Sequence, residues 1–477
     1  TVHTVAPAGG WPATPIQDAV DLAQPGDLIL VAPGTYDEMV ILWKEVQLQG
    51  AGAPSTVIRP AKVPGEKLLQ WREDIATLVT NNDVSLLPGQ VLNFDPANNE
   101  PGLFNQTEGA GVMVLAQAAG DPPASTWTGV ARIDGFTFTG ADTGGAITAN
   151  GYAEGLEISN NRMIGNAGLA SGGIAAGVPS AGAEVVDAHN DNLNIHHNHI
   201  TQNGALVNGS GGIALFTGAD SYSITDNDIC GNFTQGAGGG IGHHGLSDGG
   251  LIARNRIFFN QSFNQMPGMN THGGGIVVEG SAVTGVVTPG SGSVTIDGNR
   301  IQGNLAGAGD GGGIRLAFVD GQDALTNPYP INVVNNMIVN NVAGLAGGGI
   351  SLQDALDVSI VHNTVAHNDS TGTAGAAFLG DPNTSTPQPA GIVSRAHSAE
   401  LAGIVGPGFS NPTLVNSIVR HNRSFYWSAT TNGGLGGLLP DPASPVYNDL
   451  AVLGRTGNLN PQSCVLTDAT PYPGNFD

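Results

Sequence analysis

Short stretches that alternate apolar and polar residues recur along the chain. Seven of them share an apolar residue, a central asparagine and a second apolar residue: ISNNRMIGN, IHHNHITQN, ITDNDICGN, IARNRIFFN, IDGNRIQGN, VVNNMIVNN and IVHNTVAHN. Alternation with a period of two is typical of strands that turn one face inward. A glycine-rich motif, GGI or GGGI, follows each stretch, and its degenerate seventh copy is GAAF at 375–378. The pattern predicts two short strands per repeat.

The central asparagines define the repeat. They are Asn161, Asn198, Asn227, Asn255, Asn299, Asn336 and Asn363. Their shortest interval, 27 residues from Asn336 to Asn363, suits one coil of a solenoid. Asparagine tolerates the left-handed conformation at a bend, and its amide can hydrogen-bond to the equivalent asparagine one coil away. We therefore expect stacked coils with an internal asparagine ladder and one continuous core.

The N-terminal stretch IQDAVDLAQPGDLILVAPGTYDEMVILWKEVQLQGAG combines a helix with strands. Ile16, Ala19, Val20 and Ala23 share one face of the helix. Together with the asparagine and glycine spacing, this stretch resembles the right-handed parallel β-helix proteins of the pectin-lyase-like class, over roughly residues 1–422. The resemblance implies an all-β fold, a single-stranded right-handed parallel β-helix with loop insertions, whose N-terminal helix caps the open edge of the first coil.

A second resemblance concerns the wider protein. HNHITQN and GNLAGAGDGGGIRL are similar to β-helix segments of very large secreted bacterial proteins with multicopper-oxidase-like domains, although the sequence shows no copper-site motif. We expect four segments: 1–60 with the cap and first coils, 61–128 as a partly helical insertion, 129–424 as the main β-helix, and an irregular 425–477. Because no amphipathic helix closes the last coil, we expect a module of a longer chain.

The charge balance restricts the partners. Lys+Arg 15 against Asp+Glu 39 gives a net charge of -24, which repels nucleic acid and anionic membrane surfaces. No run of about 18 apolar residues is present, so no membrane insertion is expected. A polysaccharide is a candidate extracellular ligand, and a neutral one is easier to accommodate than a polyanion. The composition suits a secreted protein, and the second resemblance implies a bacterial one. The sequence leaves open whether Cys230 and Cys464 form a disulfide.

Loop lengths predict a groove. Two short coils lie between long loops at 175–193 and 277–294, and loops that protrude from a rigid solenoid commonly bind ligands. The predicted ligand-binding groove comprises Phe216, Asp220, Tyr222 and Asp248.

Aligning the glycine motifs puts His243 at an inward core position and His244 at an outward one. His244 then neighbours Glu279, with Arg315 diagonally placed one coil further on. These three could supply a base, a carboxylate and an electrophilic stabiliser of catalysis. The alternative is an ordinary exterior cross-strand pair, worth about 0.2 to 1 kcal/mol.

Acidic side chains suggest one metal site. Asp187, His189 and Asp191 on the predicted groove wall could bind Ca²⁺, although their spacing matches no EF-hand loop. No other cofactor is indicated. His197 and His199 flank a ladder asparagine, and exterior structural pairs explain them more simply than zinc or copper does.

Two functions follow. The first is a secreted non-catalytic β-helix module, a scaffold or carbohydrate-binding unit joined to other domains of a larger extracellular protein. The alternative is a carbohydrate-active enzyme, a polysaccharide lyase, epimerase or glycoside hydrolase that uses the groove. The sequence GHHG at 242–245 only approximates the GHG element of polygalacturonases of this fold, and their adjacent aspartates and RIK element are missing. Fold alone does not decide between the two functions.

Overall fold

The computed structural model describes residues 1–9, 11–93, 102–179, 186–206, 209–266, 269–281, 287–441 and 447–477. They form two compact units, unit 1 (Thr1–Cys230) and unit 2 (Gly231–Asp477). In each unit, short strands pair in parallel with the equivalent strands of neighbouring coils. The all-β parallel β-helix predicted from the repeats is therefore confirmed.

Unit 1 contains three long parallel sheets and shorter pairings. The first sheet comprises Val2–Val5, Leu28–Val31, Gln47–Gly50, Arg132–Asp134, Glu157–Ser159, Asn194–His196 and Ser223–Thr225. The second comprises Gly34–Tyr36, Thr56–Ile58, Thr137–Phe138, Arg162–Ile164, His199–Thr201 and Asp228–Cys230. The third comprises Val40–Leu42, Val112–Val114, Ile147–Ala149, Ile174–Ala176 and Ile213–Leu215. Ala167–Gly168 pairs with Gly204–Ala205 in a fourth sheet, and Ala118–Ala119 pairs antiparallel with Ala124–Ser125.

Unit 2 repeats the arrangement. Its first sheet comprises Gly250–Ala253, Val294–Asp297, Ile331–Val334, Val358–Val361, Thr413–Val415 and Pro461–Gln462. Its second comprises Arg256–Phe258, Arg300–Gln302, Met337–Val339, Thr364–Ala366, Ile418–Arg420 and Val465–Leu466. Its third comprises Ile241–His244, Ile276–Glu279, Ile314–Ala317, Ile350–Gln353, Ile392–Arg395 and Leu450–Leu453. Its fourth comprises Phe233–Thr234, Gln261–Ser262, Leu305–Ala306, Val342–Ala343, Asp369–Ser370, Arg423–Ser428 and the antiparallel Gly437–Pro440.

Helices occur at the N-terminus and in the insertions. They are α1 (Pro15–Leu22), α2 (Gly65–Thr80), α3 (Leu103–Thr107) and α4 (Ala399–Val405), with 3₁₀ turns at Gly375–Phe378 and Asn432–Gly434. The face predicted for α1, formed by Ile16, Ala19, Val20 and Ala23, is buried. The described residues contain no helix that is long and apolar enough to cross a membrane.

Identical register stacks like side chains inside the coils. In the second sheet of unit 2, Ile301 pairs with Ile338 and Ile338 with Val365, and all three are buried. Because successive strand residues point to opposite faces, one inward residue per rung builds an unbroken apolar column. This column is the hydrophobic core that the repeats predict.

Three details of the repeat differ from the prediction. A coil contains up to four strands rather than two, because each nine-residue stretch bends at its asparagine into separate first- and second-sheet strands. The GAAF motif forms a 3₁₀ turn, and the third-sheet strand of that coil is Ile392–Arg395 inside the predicted excursion. The segment 425–477 is less irregular than expected, since Leu450–Leu453 and Val465–Leu466 extend the third and second sheets.

The bends also differ in which residue takes the left-handed conformation. The residue before each buried asparagine has the positive φ, as at His197 (54°) before Asn198 and Arg254 (56°) before Asn255. The prediction assigned that conformation to the asparagine itself and was wrong. The asparagine side chain must point inward to reach the next coil, so the preceding residue, whose side chain points outward, makes the turn.

The asparagine side chains connect successive coils. In unit 1 the Nδ2 of Asn161 donates to Asn198 Oδ1 (3.3 Å), and in unit 2 that of Asn299 donates to Asn336 Oδ1 (3.0 Å). A second column, which the sequence analysis missed, lies five residues further on and includes Asn260, Asn304 and Asn341. Its signal was the last asparagine of each nine-residue stretch.

The two cysteines do not form a disulfide. Cys230 and Cys464 are both in the thiol form. The sequence left their pairing open, and the answer agrees with a fold whose coils are joined by hydrogen bonds.

One buried carboxylate holds the start of α1. Glu38 accepts hydrogen bonds from the backbone N–H groups of Ile16 and Gln17 through Oε2 (both 3.1 Å). Burial raises the pKa of Glu38 to about 7, and those two hydrogen bonds only partly oppose the effect. The folded protein therefore retains a proton on Glu38 over a pH range in which the unfolded chain has released it.

The second asparagine column can be tested at Asn304. Its Oδ1 accepts from the backbone N–H of Asn260 (2.9 Å), and its Nδ2 donates to Ile257 O (2.9 Å) and Asn341 Oδ1 (2.9 Å). Asn304→Ala leaves several buried polar groups unsatisfied, so we expect it to lower the free energy of unfolding by roughly 2 to 5 kcal/mol. Urea unfolding followed by circular dichroism measures this, with Asn332→Ala on the outward face as the control, expected to cost less than about 0.5 kcal/mol. Equal losses in both variants would contradict a special role for the column.

The Glu38 pKa makes stability depend on pH. Because the folded pKa is raised, the free energy of unfolding falls as pH rises from about 4.5 to about 7 and is level above that. Glu38→Gln keeps an acceptor for Ile16 and Gln17 but cannot titrate. We expect the free energy of unfolding of the variant, minus that of the wild type, to increase by up to about 3 kcal/mol between pH 5 and 8. A difference that stays constant over this range would show that Glu38 titrates normally.

Candidate functional site

The outward face of the third sheet of unit 2 bears a row of polar side chains. We call it the polar row: His244, Glu279, Arg315, Ser351, Gln353 and Arg395. His244 and Glu279 are register partners on adjacent strands, and His244 Nδ1 lies 2.8 Å from Glu279 Oε1. Arg315 pairs in register with Val277, two residues before Glu279, which is the predicted diagonal position. The structure thus brings the three predicted residues to one surface.

Arg315 occupies a different environment from the one expected. It is only 3% exposed, and its Nη1 and Nη2 donate to Ser351 Oγ and Gln353 Oε1, both at 2.7 Å. Its Nε has no hydrogen-bond partner among the described residues. A guanidinium enclosed in this way cannot contact a bound ligand directly. The prediction that Arg315 acts as an electrophilic stabiliser on the substrate is therefore corrected to an electrostatic influence on Glu279.

Asp310 balances part of the positive charge of Arg315 and Arg395. Arg395 binds it through two hydrogen bonds, from Nε to Oδ2 (2.8 Å) and from Nη2 to Oδ1 (2.7 Å), and Arg315 Nη1 lies 3.5 Å from Oδ2. Burial would raise the pKa of Asp310, but the positive charges of Arg315 and Arg395 outweigh it and lower the pKa. Asp310 is thus an ionised, buried carboxylate held by two guanidinium groups, a geometry that offsets much of the desolvation cost.

His272 lies at the corner before the neighbouring coil's strand. Its Nδ1 accepts a hydrogen bond from the backbone N–H of Asp310 (3.0 Å), so the neutral ring carries its proton on Nε2. Burial and the charge of Arg315 lower the pKa of His272 to about 4. At neutral pH this histidine is uncharged and positions the Asp310 corner.

Glu279 lies at the centre of these charges. Burial by itself would raise its pKa, but the hydrogen bond with His244 and the positive charges around it lower the pKa below the ordinary value. Glu279 is therefore ionised at neutral pH, and its Oε1 accepts a hydrogen bond from His244 Nδ1. This bond fixes the imidazole tautomer and makes Nε2 the basic nitrogen. A carboxylate that orients a histidine is a common acid–base arrangement.

Sequence reasoning missed three members of this cluster. His272 and Asp310 each directly precede a GGG triplet, so their equivalent positions would have revealed them. Arg395 lies beyond the GAAF motif that was taken for the strand of its coil. The misplaced strand concealed it.

His243 agrees with its predicted place in the core. It is buried, and its Nε2 lies 2.8 Å from Ser291 O and 2.9 Å from Gly245 O. Burial lowers its pKa to about 4, so it is neutral and donates from Nε2. His243 is structural.

Two of the four predicted groove residues are buried, and the other two are exposed. Phe216 (4% exposed) packs among alanines of unit 1, and Tyr222 (1% exposed) lies in the core, so neither can line a surface groove. Asp220 and Asp248 are exposed, and Asp248 accepts a hydrogen bond from Ser293 N (2.8 Å). Both aromatics were placed outward from spacing alone, but neighbouring chain covers them. Residues 180–185 and 282–286 of the proposed walls lie outside the described residues.

The predicted metal ligands do not form a site. Asp187 Oδ1 accepts from the backbone N–H of His189 (2.9 Å), whereas Asp191 Oδ1 accepts from that of Asp220 (2.9 Å). Among the described residues no group of three or more His, Cys, Asp or Glu side chains could hold a metal ion. Burial raises the pKa of Asp191 to about 6, which further weakens it as a ligand. Asp187 caps a local turn, and Asp191 joins its loop to the next coil.

Comparisons with known proteins concern the fold. No protein-family model matches the sequence, and no curated protein sequence matches it. Among solved structures, the A-module of the mannuronan C-5 epimerase AlgE4 of Azotobacter vinelandii is 14% identical, with a TM-score of 0.36 over 86% of this chain and 82% of that chain. XylC in complex with xylose is 14% identical, with a TM-score of 0.34 over 87% and 70%.

A third solved structure is the catalytic unit of the GH87 α-1,3-glucanase of Streptomyces thermodiastaticus strain HF3-3. It is 10% identical, with a TM-score of 0.25, and the match covers 99% of this chain and 70% of that chain. At identities this low, a similar fold is not evidence for a shared activity. The parallel strand order and the register identify the fold of the chain as an all-β parallel β-helix.

Proposed function

We propose that unit 2 contains the active site of an extracellular carbohydrate-active enzyme, in which His244 transfers a proton to or from a glycan. The observation that supports this is the 2.8 Å contact between His244 Nδ1 and the ionised Glu279. An exterior pair that only fixed register would need no buried charges behind it. Here the buried Arg315 and Asp310 and the partly buried Arg395 lie on neighbouring coils of the same sheet, at a desolvation cost that a purely structural surface could avoid.

The roles follow from the geometry. His244 and Glu279 are both partly exposed. Because Glu279 is hydrogen-bonded to Nδ1 and orients the imidazole, Nε2 of His244 is the atom assigned to the substrate. Arg315 does not reach the substrate, and its positive charge helps to keep Glu279 ionised, while Asp310 lies beside Arg315. Such a base can remove a proton from a sugar ring carbon, and its conjugate acid can donate one to a glycosidic oxygen. These two steps occur in lyase, epimerase and hydrolase chemistry.

The second candidate function is the non-catalytic module, a glycan-binding part of a longer secreted polypeptide. The high acidity of the chain supports an extracellular location and a ligand that is not a nucleic acid. The two candidates differ in one observable, turnover.

The active-site proposal predicts the effect of His244→Ala and Glu279→Gln. Each should lower the rate of turnover by roughly 10²- to 10⁴-fold, because each removes one member of the acid–base pair. The measurement is product analysis on polyuronates, xylan and α- and β-glucans. Absorbance of the unsaturated product reports elimination, solvent deuterium incorporation reports epimerisation, and new reducing ends report hydrolysis.

Matched controls are available in unit 1. His199 Nδ1 lies 3.2 Å from Asp228 Oδ2, so this pair has the same chemistry on a more exposed part of the surface. His199→Ala and Asp228→Asn should keep wild-type turnover. Wild-type rates in the His244 and Glu279 variants would exclude the dyad, and glycan binding without turnover in the wild type would favour the non-catalytic module.

A further inference from the structure

Four of the five tryptophans of the chain line two cavities of unit 1. The first cavity, of about 270 Å³, is lined by Trp11 and Trp71. The second, also about 270 Å³, is lined by Trp43 and Trp127. The chain is only 5% aromatic, so this concentration in one region is a feature to be explained. Neither the polar row nor the core of the coils requires it.

The two cavities adjoin the same short stretch of chain. Ile41 lines the first cavity, and Trp43, two residues further on, lines the second. Residues two apart along an extended chain lie on the same side, about 7 Å apart. Ile41 and Trp71 belong to one apolar cluster, and Trp43 packs against it. Both cavities therefore lie beside the same apolar cluster.

A chain of hydrogen bonds connects residues that line the two cavities. Gln17 Oε1 accepts from the backbone N–H of Ile41 (2.7 Å), and its Nε2 donates to Asp21 Oδ1 (2.9 Å). Asp21 Oδ1 also accepts a hydrogen bond from Trp43 Nε1 (2.8 Å). Lys44 Nζ lies 4.2 Å from the centre of the Trp43 ring. The Trp43 ring is thus held in place before any ligand arrives, which reduces the entropy lost on binding.

The first cavity offers an aromatic ring and acceptors for ligand hydroxyl groups. Trp71 is 3% exposed, so it belongs to the buried wall of the cavity and does not itself contact a ligand. Trp11 is partly exposed and is the ring against which a sugar can pack. Asp74 and Gln70 are at least partly exposed and offer acceptors in the same cavity.

The charge of the lining indicates the class of ligand. The first cavity has Asp74 against Lys67, because Glu38 keeps its proton up to a pH of about 7, and the second has Glu45 and Asp83 against Lys44. Neither lining has the excess of positive charge that a uronate chain would need. Aromatic rings that pack on apolar faces, together with acceptors for hydroxyl groups, suit a neutral sugar.

We propose that these two cavities form one binding site for a neutral oligosaccharide that is long enough to enter both. The site belongs to unit 1 and does not depend on the His244 dyad of unit 2. It gives the protein a means of holding a neutral glycan whether or not unit 2 is catalytic.

Tryptophan fluorescence and calorimetry on the full chain test this site. The probes are hexasaccharides and disaccharides of xylose, β-1,4-glucose, β-1,3-glucose and mannose, with hexagalacturonate as the anionic comparison. We expect at least one neutral hexasaccharide to shift the emission and to bind at least about tenfold more tightly than its disaccharide, because only the longer ligand occupies both cavities. Hexagalacturonate should bind more weakly than that ligand.

Single substitutions assign the binding to the cavities. Trp11→Ala and Trp43→Ala should each weaken binding at least about tenfold. Trp71→Phe should weaken it less, because Trp71 is buried in the cavity wall and phenylalanine keeps a ring there. Trp427→Ala, a half-buried tryptophan of unit 2 that packs on Phe378, is the matched control and should bind as the wild type does. Circular dichroism and thermal unfolding of each variant verify folding.

Three results would overturn the proposal: no neutral hexasaccharide binds, hexagalacturonate binds best, or Trp427→Ala loses as much affinity as folded Trp11→Ala and Trp43→Ala. The His244→Ala variant separates this proposal from the enzymatic one. It should lose turnover and keep the affinity measured here, whereas Trp11→Ala should lose that affinity and keep its rate on substrates too short to occupy both cavities.

Discussion

Every coil of this fold must satisfy polar backbone groups at bends that face the interior. The buried asparagines meet this requirement, because a side-chain amide can donate and accept at once. In unit 2 Asn336 donates to Asn363 Oδ1 and to Ile296 O and accepts from Asn299, so one side chain connects three coils. Few other side chains could do this at the same depth. The regular register of the sheets depends on it.

That regularity determines where chemistry can appear. Inward positions are occupied by the apolar columns, so variation is confined to outward positions and to the loops between strands. The polar row is an outward feature of this kind, but it is not a solvated one. Asp310 and Arg315 are almost fully buried there, and a pair of this kind is justified energetically only by close, multiple hydrogen bonds. Its contacts with Arg395, Ser351 and Gln353 meet that condition.

The two proposed sites use the scaffold in different ways. The dyad of unit 2 is built on rigid strands, where the position of His244 is set by pairing with the next coil. The first cavity of unit 1 lies where α1 and α2 meet the first coils, and the second is lined by loops of the same region. A rigid strand suits a proton transfer that needs accurate geometry, and insertions can create hollows large enough for a ligand.

The sequence alone determined whatever repeats. Equal spacing along the chain becomes contact between coils, so the core columns, the α1 cap, the inward His243 and the His244–Glu279 pair could all be predicted. Tertiary structure decided what does not repeat. The burial of Phe216 and Tyr222, the enclosure of Arg315, and the meeting of His272, Asp310 and Arg395 depend on loops of unequal length. The tryptophan-lined cavities depend on how α2 packs against the first coils. A loop's path is set by the surfaces it packs against, and those surfaces exist only once the coils have stacked.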